Sequence, residues 1–462
     1  MTHASTGQSS GYDPYPSPRY GWYVVTVLTL GYVVSFVDRQ ILALLVEPIK
    51  HDLDISDTEV SLLLGAAFAF LYTFAGIPIG LLADRRSRRA IIATGITIWC
   101  FMTAACGLAR NFAQLFLARV GVGIGEATLS PSALSLISDY FPRETRGRAI
   151  SFYNMGVGVG AGLAMVLGGQ VIEYVFQAPP LSVPLVGELF AWQTVFLVVG
   201  LPGLLIALLM ITVKEPKRKG KIQIQTKSGL TTDVIPFTHV VKFLGARWRT
   251  YGNHFLGMSV VTILGYAYFS WLPTMFVRTW SWTIGEVSFA YGVVMLICAP
   301  LGVNLGGWLA DTMYRNGHKD AHAKATFYAV LVMAPASVAI PLMPSGELAV
   351  ALLVPSSIAG ASATATGAAA LMMIAPNQMR AQASAVYYFV INLLGLNLGP
   401  TAVALFTDYV FADEAALRYS ISIVSAIAGT IGMVFIVMSF KHFRASVVEV
   451  EAWGAADEAV SI

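Results

Sequence analysis

Twelve stretches of this chain are each about as long as the 20 apolar residues needed to cross a bilayer. They fall at roughly 21–46, 58–83, 90–109, 112–138, 147–175, 191–213, 250–277, 285–310, 323–343, 348–374, 382–408 and 417–440. Inside hydrocarbon a backbone must satisfy its own polar groups, so such stretches form helices. The fold class is an all-α membrane protein with twelve transmembrane helices. Composition agrees, because only 12% of residues are charged, against about 25% in soluble domains. The three cysteines, Cys100, Cys106 and Cys298, lie apart in apolar stretches. That pattern argues against a disulfide framework or a metal site. Nothing points to a nucleic-acid partner.

The most polar long interruption is 214–249, which begins "KEPKRKGK" and includes an amphipathic stretch around "FTHVVKFLGARWR". It divides the spans six and six. The expected organisation is a disordered cytosolic tail (1–19), an N-terminal six-helix bundle (20–213), a cytosolic linker (214–249), a C-terminal six-helix bundle (250–441) and a cytosolic tail (442–462). The N-terminal tail lacks the basic and apolar regions of a secretory signal peptide. Of the 29 Lys and Arg, only Lys50, Arg110, Arg278 and Arg418 fall in loops on the side opposite the termini. Arg39 and Arg119 lie within spans, and the rest fall on the terminus side. The positive-inside rule then puts both termini in the cytoplasm. The expected location is the cell (inner) membrane, crossed many times.

Two motifs recur at nearly half the chain length. "GLLADRRSRR" (Gly80–Arg89) follows the second span and "GWLADTMYR" (Gly307–Arg315) the eighth, 227 residues later. "PRETRGRA" (Pro142–Ala149) follows the fourth and "PNQMRAQA" (Pro376–Ala383) the tenth, 234 later. The halves therefore read as parallel, pseudo-symmetric repeats. The Gly80–Arg89 segment resembles the loop between the second and third helices of the major facilitator superfamily, with Ser87 where glycine is usual. The resemblance implies two six-helix bundles that rock about a central cavity, giving alternating access. Gly80 would allow close helix approach. Asp84, Arg85, Arg88, Asp139 and Arg146 would form a charge latch that breaks when the bundles move.

Four ionisable residues sit inside spans: Asp38 and Arg39 in span one, Arg119 and Glu126 in span four. Such residues are rare in membranes and by default mark a functional site facing the interior. Arg119 and Glu126 are two turns apart, so they share a face about 10 Å apart in height. The opposed directions of spans one and four make these complementary ladders. Asp38 would pair with Arg119, and Arg39 with Glu126 or a substrate anion. A purely structural pin of this kind is often no better than packed apolar residues. Moving an arginine onto a substrate would let the released carboxylate take a proton. Asp38, Glu126, Arg39 and Arg119 are the expected proton-coupling residues, with protons as the coupling ion and no cofactor.

Spans seven to twelve have no charge near mid-membrane, and their polar groups are few. Arg39, Glu126 and Arg119 are expected to meet a substrate head group. Tyr268, Trp271, Tyr388 and Asn392 would form the second half of the cavity. Within the superfamily, "VDRQ" in span one, "RVGVGIGEATLSPSA" in span four and "DYFPRETRGRAISFYNMGVGVG" resemble Spinster-type carriers. That resemblance implies proton-linked movement of a sphingolipid- or lysolipid-like amphiphile, anionic or zwitterionic, by a monomer surrounded by membrane lipids. The alternative is a proton symporter of small organic anions. A membrane-embedded lipid enzyme would need a nucleophile and base or a metal cluster within the spans, and neither is present in the sequence pattern.

Overall fold

The structure is a computed structural model that describes residues 15–83, 85–184, 187–216, 237–376 and 379–460. Twelve helices in it are long and apolar enough to cross a membrane. Span one (Pro18–Leu44) breaks at Leu45 and continues as Val46–Leu53. Span two is Asp57–Leu64 and Ala66–Ala83 about a break at Gly65. Span three is Arg88–Cys106. Span four is Phe112–Glu126 and Leu129–Tyr140, span five Arg143–Gln177, and span six Ala191–Gly200 with Gly203–Thr212. A short helix, Phe237–Ala246, precedes span seven, Trp248–Trp280. Span eight is Ile284–Arg315, nine Ala321–Ala339, ten Gly346–Ile374, eleven Arg380–Leu405 with a π-helical end Phe406–Phe411, and twelve Leu417–Val460.

Residues 442–460, expected as a tail, continue span twelve as helix. No proline interrupts them, and Phe443 and Val447 stay buried against the bundle. The expected tail at 1–14 and the middle of the linker, 217–236, lie outside the described residues. The linker's amphipathic stretch is the helix Phe237–Ala246.

Spans one to six pack on one another, as do seven to twelve, and the groups meet along spans one and seven, two and eleven, and five and eight. Glycine sets the last two meetings. A β-carbon built on Gly65 would overlap the carbonyl oxygen of Leu396, and one on Gly162 would overlap Leu296. Approaching the terminus side, the contact thins. A β-carbon built on Gly158 would stand 3.9 Å from Ala299, an ordinary contact, while one on Gly307 would meet open space. Between spans two and eleven, Phe74 meets Phe389 edge to face, but a β-carbon built on Gly80 would meet open space. The cleft between the bundles is thus closed on the far side and open on the side of the termini. Gly80 makes no close helix approach here, since a β-carbon would fit at that position.

Charge closes the far side. Lys50 and Arg278 bind Asp57 from two directions, and Arg278 also holds Glu47 at 2.7 Å. Lys50 reaches Glu414 at 2.7 Å. Asp408, at the π-helical end of span eleven, accepts from the backbone N–H and hydroxyl of Thr58 at 2.7 and 2.6 Å. It thereby caps the first turn of span two from the other bundle, where a carboxylate also favours the helix dipole. Ion pairs and hydrogen bonds join the two bundles on this side.

Removing Arg278 leaves the fully buried Asp57 carboxylate with Lys50 alone, a loss of about 3 kcal/mol or more unless water reaches it. Opening the far side supplies that water. Arg278→Ala and Gly65→Val are both expected to shift spin-label distances between the loops after spans one and seven to longer values. Unchanged distributions in both variants would contradict this account of the closure.

Candidate functional site

The four charges inside the spans cluster between spans one, three and four. Arg39 donates to Glu126 in a direct ion pair, with side chains 10% and 1% exposed. The Arg39 guanidinium also lies over the rings of Phe68 at 4.4 Å, Phe36 at 4.8 Å and Tyr72 at 5.2 Å. Such rings stabilise a cation more strongly when it is desolvated. Sequence reasoning missed these three residues, since an aromatic in a span reads as ordinary packing.

The expected pairing of Asp38 with Arg119 takes a different form. Arg119 donates to the backbone carbonyl of Asp38 at 3.4 Å, not to its carboxylate. The Asp38 carboxylate accepts from Thr103 of span three at 3.4 Å. Both charged residues are fully buried. Heights matched across the two helices, but the Asp38 side chain turns toward span three. Asp38 Oδ1, Glu126 Oε1, Arg39 Nε, and Arg119 Nε and Nη2 have no hydrogen-bond partner among the described residues. A buried, half-satisfied polar network is costly to leave as it is. This one therefore has free bonding capacity on both its acids and its bases.

Span four is built to hold Glu126. Its first helix ends at Glu126, and a turn through Ala127 and Thr128 follows. The break comes before Pro131, which sits in the first turn of the second helix. Gly121, Gly123 and Gly125 each let a neighbour in: Met102, the Phe68 carbonyl, and the backbone of Trp99 and Gly95. All three glycines serve packing, and they pull spans two and three against the charged face.

Two residues expected on the cavity wall lie elsewhere. Tyr268 donates its hydroxyl to the carbonyl of Ser337 in span nine. Trp271 donates its indole N–H to the carbonyl of Pro400 in span eleven at 2.9 Å. Both are buried within the second bundle. A buried aromatic with a polar tip finds a partner on its neighbour, so these two tie spans seven, nine and eleven together. Tyr388 and Asn392, the other two expected wall residues, lie on span eleven. On span eleven, Gly395 and Gly399 abut span seven, while Phe389 and Leu396 meet span two. Tyr388 and Asn392 lie one turn apart on one side of span eleven, and Tyr388 is half exposed.

Around the expected latch, the described residues form clasps within each bundle. Arg88 is buried and holds Asp139 at 2.5 Å and Glu215 at 2.8 Å. Asp84 lies outside the described residues, and Arg85 is exposed with no ion pair among the described residues. Arg146 donates to the carbonyl of Phe141, which ends span four. Its repeat counterpart Arg380 donates in the same way to Ala375, which ends span ten. The repeated arginine thus caps a helix end in both halves. In the second half, Asp320 before span nine is held by Lys324 at 3.2 Å and Arg444 at 3.0 Å.

Burial works to push the Glu215 carboxyl up, but hydrogen bonds from the Arg89 N–H, Arg88 and Ser87 outweigh it and hold it below the usual range. A carboxyl held low adds stability above its ordinary value, about 4.3, and loses it as pH falls. Glu215→Gln is expected to lower thermal stability at neutral pH by about 1–2 kcal/mol. The difference from the parent should shrink as the pH drops through 4. A pH-independent difference would mean that the carboxylate charge is not what holds the clasp.

Comparison with known proteins places this geometry. A bacterial homologue of the human lysosomal transporter Spinster, in an inward-facing and unoccupied conformation, superposes with a TM-score of 0.75 at 27% identity, covering 94% of this chain and 98% of that one. An MFS-type efflux pump of Mycolicibacterium smegmatis is 28% identical over 94% of this chain and 95% of its own length. A probable L-galactonate transporter of Escherichia coli is 24% identical over 63% of this chain and 62% of that protein. Residues 28–400 match the sequence profile of the Major Facilitator Superfamily. With its twelve spans and paired bundles, the chain belongs to that superfamily of membrane transporters.

Proposed function

We propose that this transporter is proton-coupled and carries an amphiphile with an anionic or zwitterionic head, sphingolipid- or lysolipid-like, by alternating access. The observation that carries the reading is the buried Arg39–Glu126 pair, which sits on the first bundle with bonding capacity to spare. An anionic head entering the cleft competes with Glu126 for Arg39. Glu126, released in a dry site, then takes a proton, because an unpaired buried carboxylate is costly as an anion. Losing the proton returns Glu126 to Arg39 and expels the head group. Asp38 and Arg119, one layer behind, form the second acid and base of the relay. The second bundle offers Tyr388 and Asn392 in an otherwise apolar wall, which suits an acyl or sphingoid tail.

A second reading is proton symport of a small organic anion. The similarity to a probable galactonate transporter favours it. The two readings share the pair but differ in what fills the second half of the cleft.

Proteoliposomes with an imposed pH gradient separate them. A lysolipid or sphingoid phosphate should be moved by the parent, and a short sugar acid should not compete. Arg39→Ala is expected to weaken substrate binding about 10- to 100-fold. Glu126→Gln should still bind but no longer respond to the gradient. Full pH-driven transport by both Glu126→Gln and Asp38→Asn would overturn proton coupling. Transport of the sugar acid, uninhibited by lipid, would select the second reading.

A further inference from the structure

The helix Phe237–Ala246 has work beyond joining the bundles. Its inner side is fixed. Val240 and Leu244 are buried, and Phe243 meets Tyr251 edge to face at 5.9 Å. At its end, Arg247 pairs with Glu449 of span twelve at 2.6 Å. Tyr251, one turn further on, donates to the carbonyl of Ile374, which closes span ten, at 2.6 Å. The helix is therefore fastened to the terminus-side ends of spans ten and twelve.

Its outer side is unusual for a segment beside a loop. Phe237, Val241 and Trp248 are each about half exposed. Phe237 and Val241 lie one turn apart on the same face, and Trp248 is the first residue of span seven. Lys242 and Arg249 are also exposed, and neither has an ion-pair partner among the described residues. A short helix with apolar and aromatic residues outside, basic residues beside them, and its end joined to a membrane span has the chemistry of an interfacial segment. Tryptophan favours that depth, at the level of the head groups. The occupant that completes both surfaces at once is a lipid: acyl chains against Phe237, Val241 and Trp248, and a negative head at Lys242 and Arg249.

We propose that helix Phe237–Ala246 lies in the head-group layer on the terminus side and binds anionic phospholipid there through Lys242, Arg249 and Trp248. Because the helix is pinned to spans ten and twelve, lipid held there acts on the second bundle on the side where the cleft is open. The proposal is independent of which substrate the cleft carries.

The test uses the full chain in vesicles of phosphatidylcholine and phosphatidylglycerol at fixed composition. One lipid or the other carries brominated chains, which quench nearby tryptophans. Trp248 is read as the difference between the parent and Trp248→Phe. Brominated phosphatidylglycerol is expected to quench Trp248 more than brominated phosphatidylcholine. Each of the two basic residues should contribute up to about fivefold to the local enrichment. The double variant Lys242→Gln with Arg249→Gln should bring the two lipids level while Trp248 is still quenched. Equal quenching by both lipids in the parent would overturn the anion preference. Quenching by neither would show that water or another part of this chain covers the helix, and would overturn the proposal altogether. The readout needs no transport, so failure of the substrate reading leaves it unaffected.

Discussion

The ion pair of Arg39 and Glu126 is the interaction on which the rest of the structure depends. Two charges in the dry middle of a bundle survive only together. Holding them together dictates much else: the helix of span four ends at Glu126, three glycines clear its flanks, and Phe36, Phe68 and Tyr72 gather round the guanidinium. Asp38 and Arg119 add a second layer that shares a backbone carbonyl but not a side-chain bond. The site is neutral in total and incomplete in detail. In the proposed mechanism, that combination is what a ligand entering the site would use.

The two ends of the cleft are held by different physics. On the far side, charges from both bundles meet, and glycines bring spans two and eleven, and five and eight, within backbone contact. On the terminus side, comparable charges are spent inside each bundle: Arg88 with Asp139 and Glu215, Asp320 with Lys324 and Arg444. Bonds across the bundles must break for the far side to open. Bonds within a bundle can persist through the same motion and keep each half rigid. That division of charge suits the rocking of two stiff bodies proposed above.

Much of this was legible in the sequence. Apolar length located the spans, because hydrocarbon leaves a backbone few alternatives. The repeat was visible in Gly80–Asp84 and Gly307–Asp311, and the match of Arg39 with Glu126 followed from helix heights. Height is one coordinate, however, and azimuth is another. A seven-residue spacing could not show that the Asp38 carboxylate turns to Thr103. Tyr268 and Trp271 misled for a related reason, since a polar-tipped aromatic suits a cavity wall and a helix contact equally well. The far-side network was illegible because Lys50, Asp57, Arg278 and Glu414 come from three loops hundreds of residues apart. Gly80 was read for a close helix neighbour, and a β-carbon there would meet open space.

The clasps of the two halves have opposite sign. Where span three begins, the central group is a cation, Arg88, gripped by two acids. Where span nine begins, it is an acid, Asp320, gripped by two cations. The halves are otherwise alike enough in length and shape to be mistaken for one another as the chain inserts. Were span three to dock in span nine's place, Arg88 would face Arg444, and in the reverse exchange Asp320 would face Asp139 and Glu215. Each wrong assembly sets like charges together in a partly buried position, where repulsion is poorly screened. A duplicated chain thereby keeps its two halves from exchanging parts.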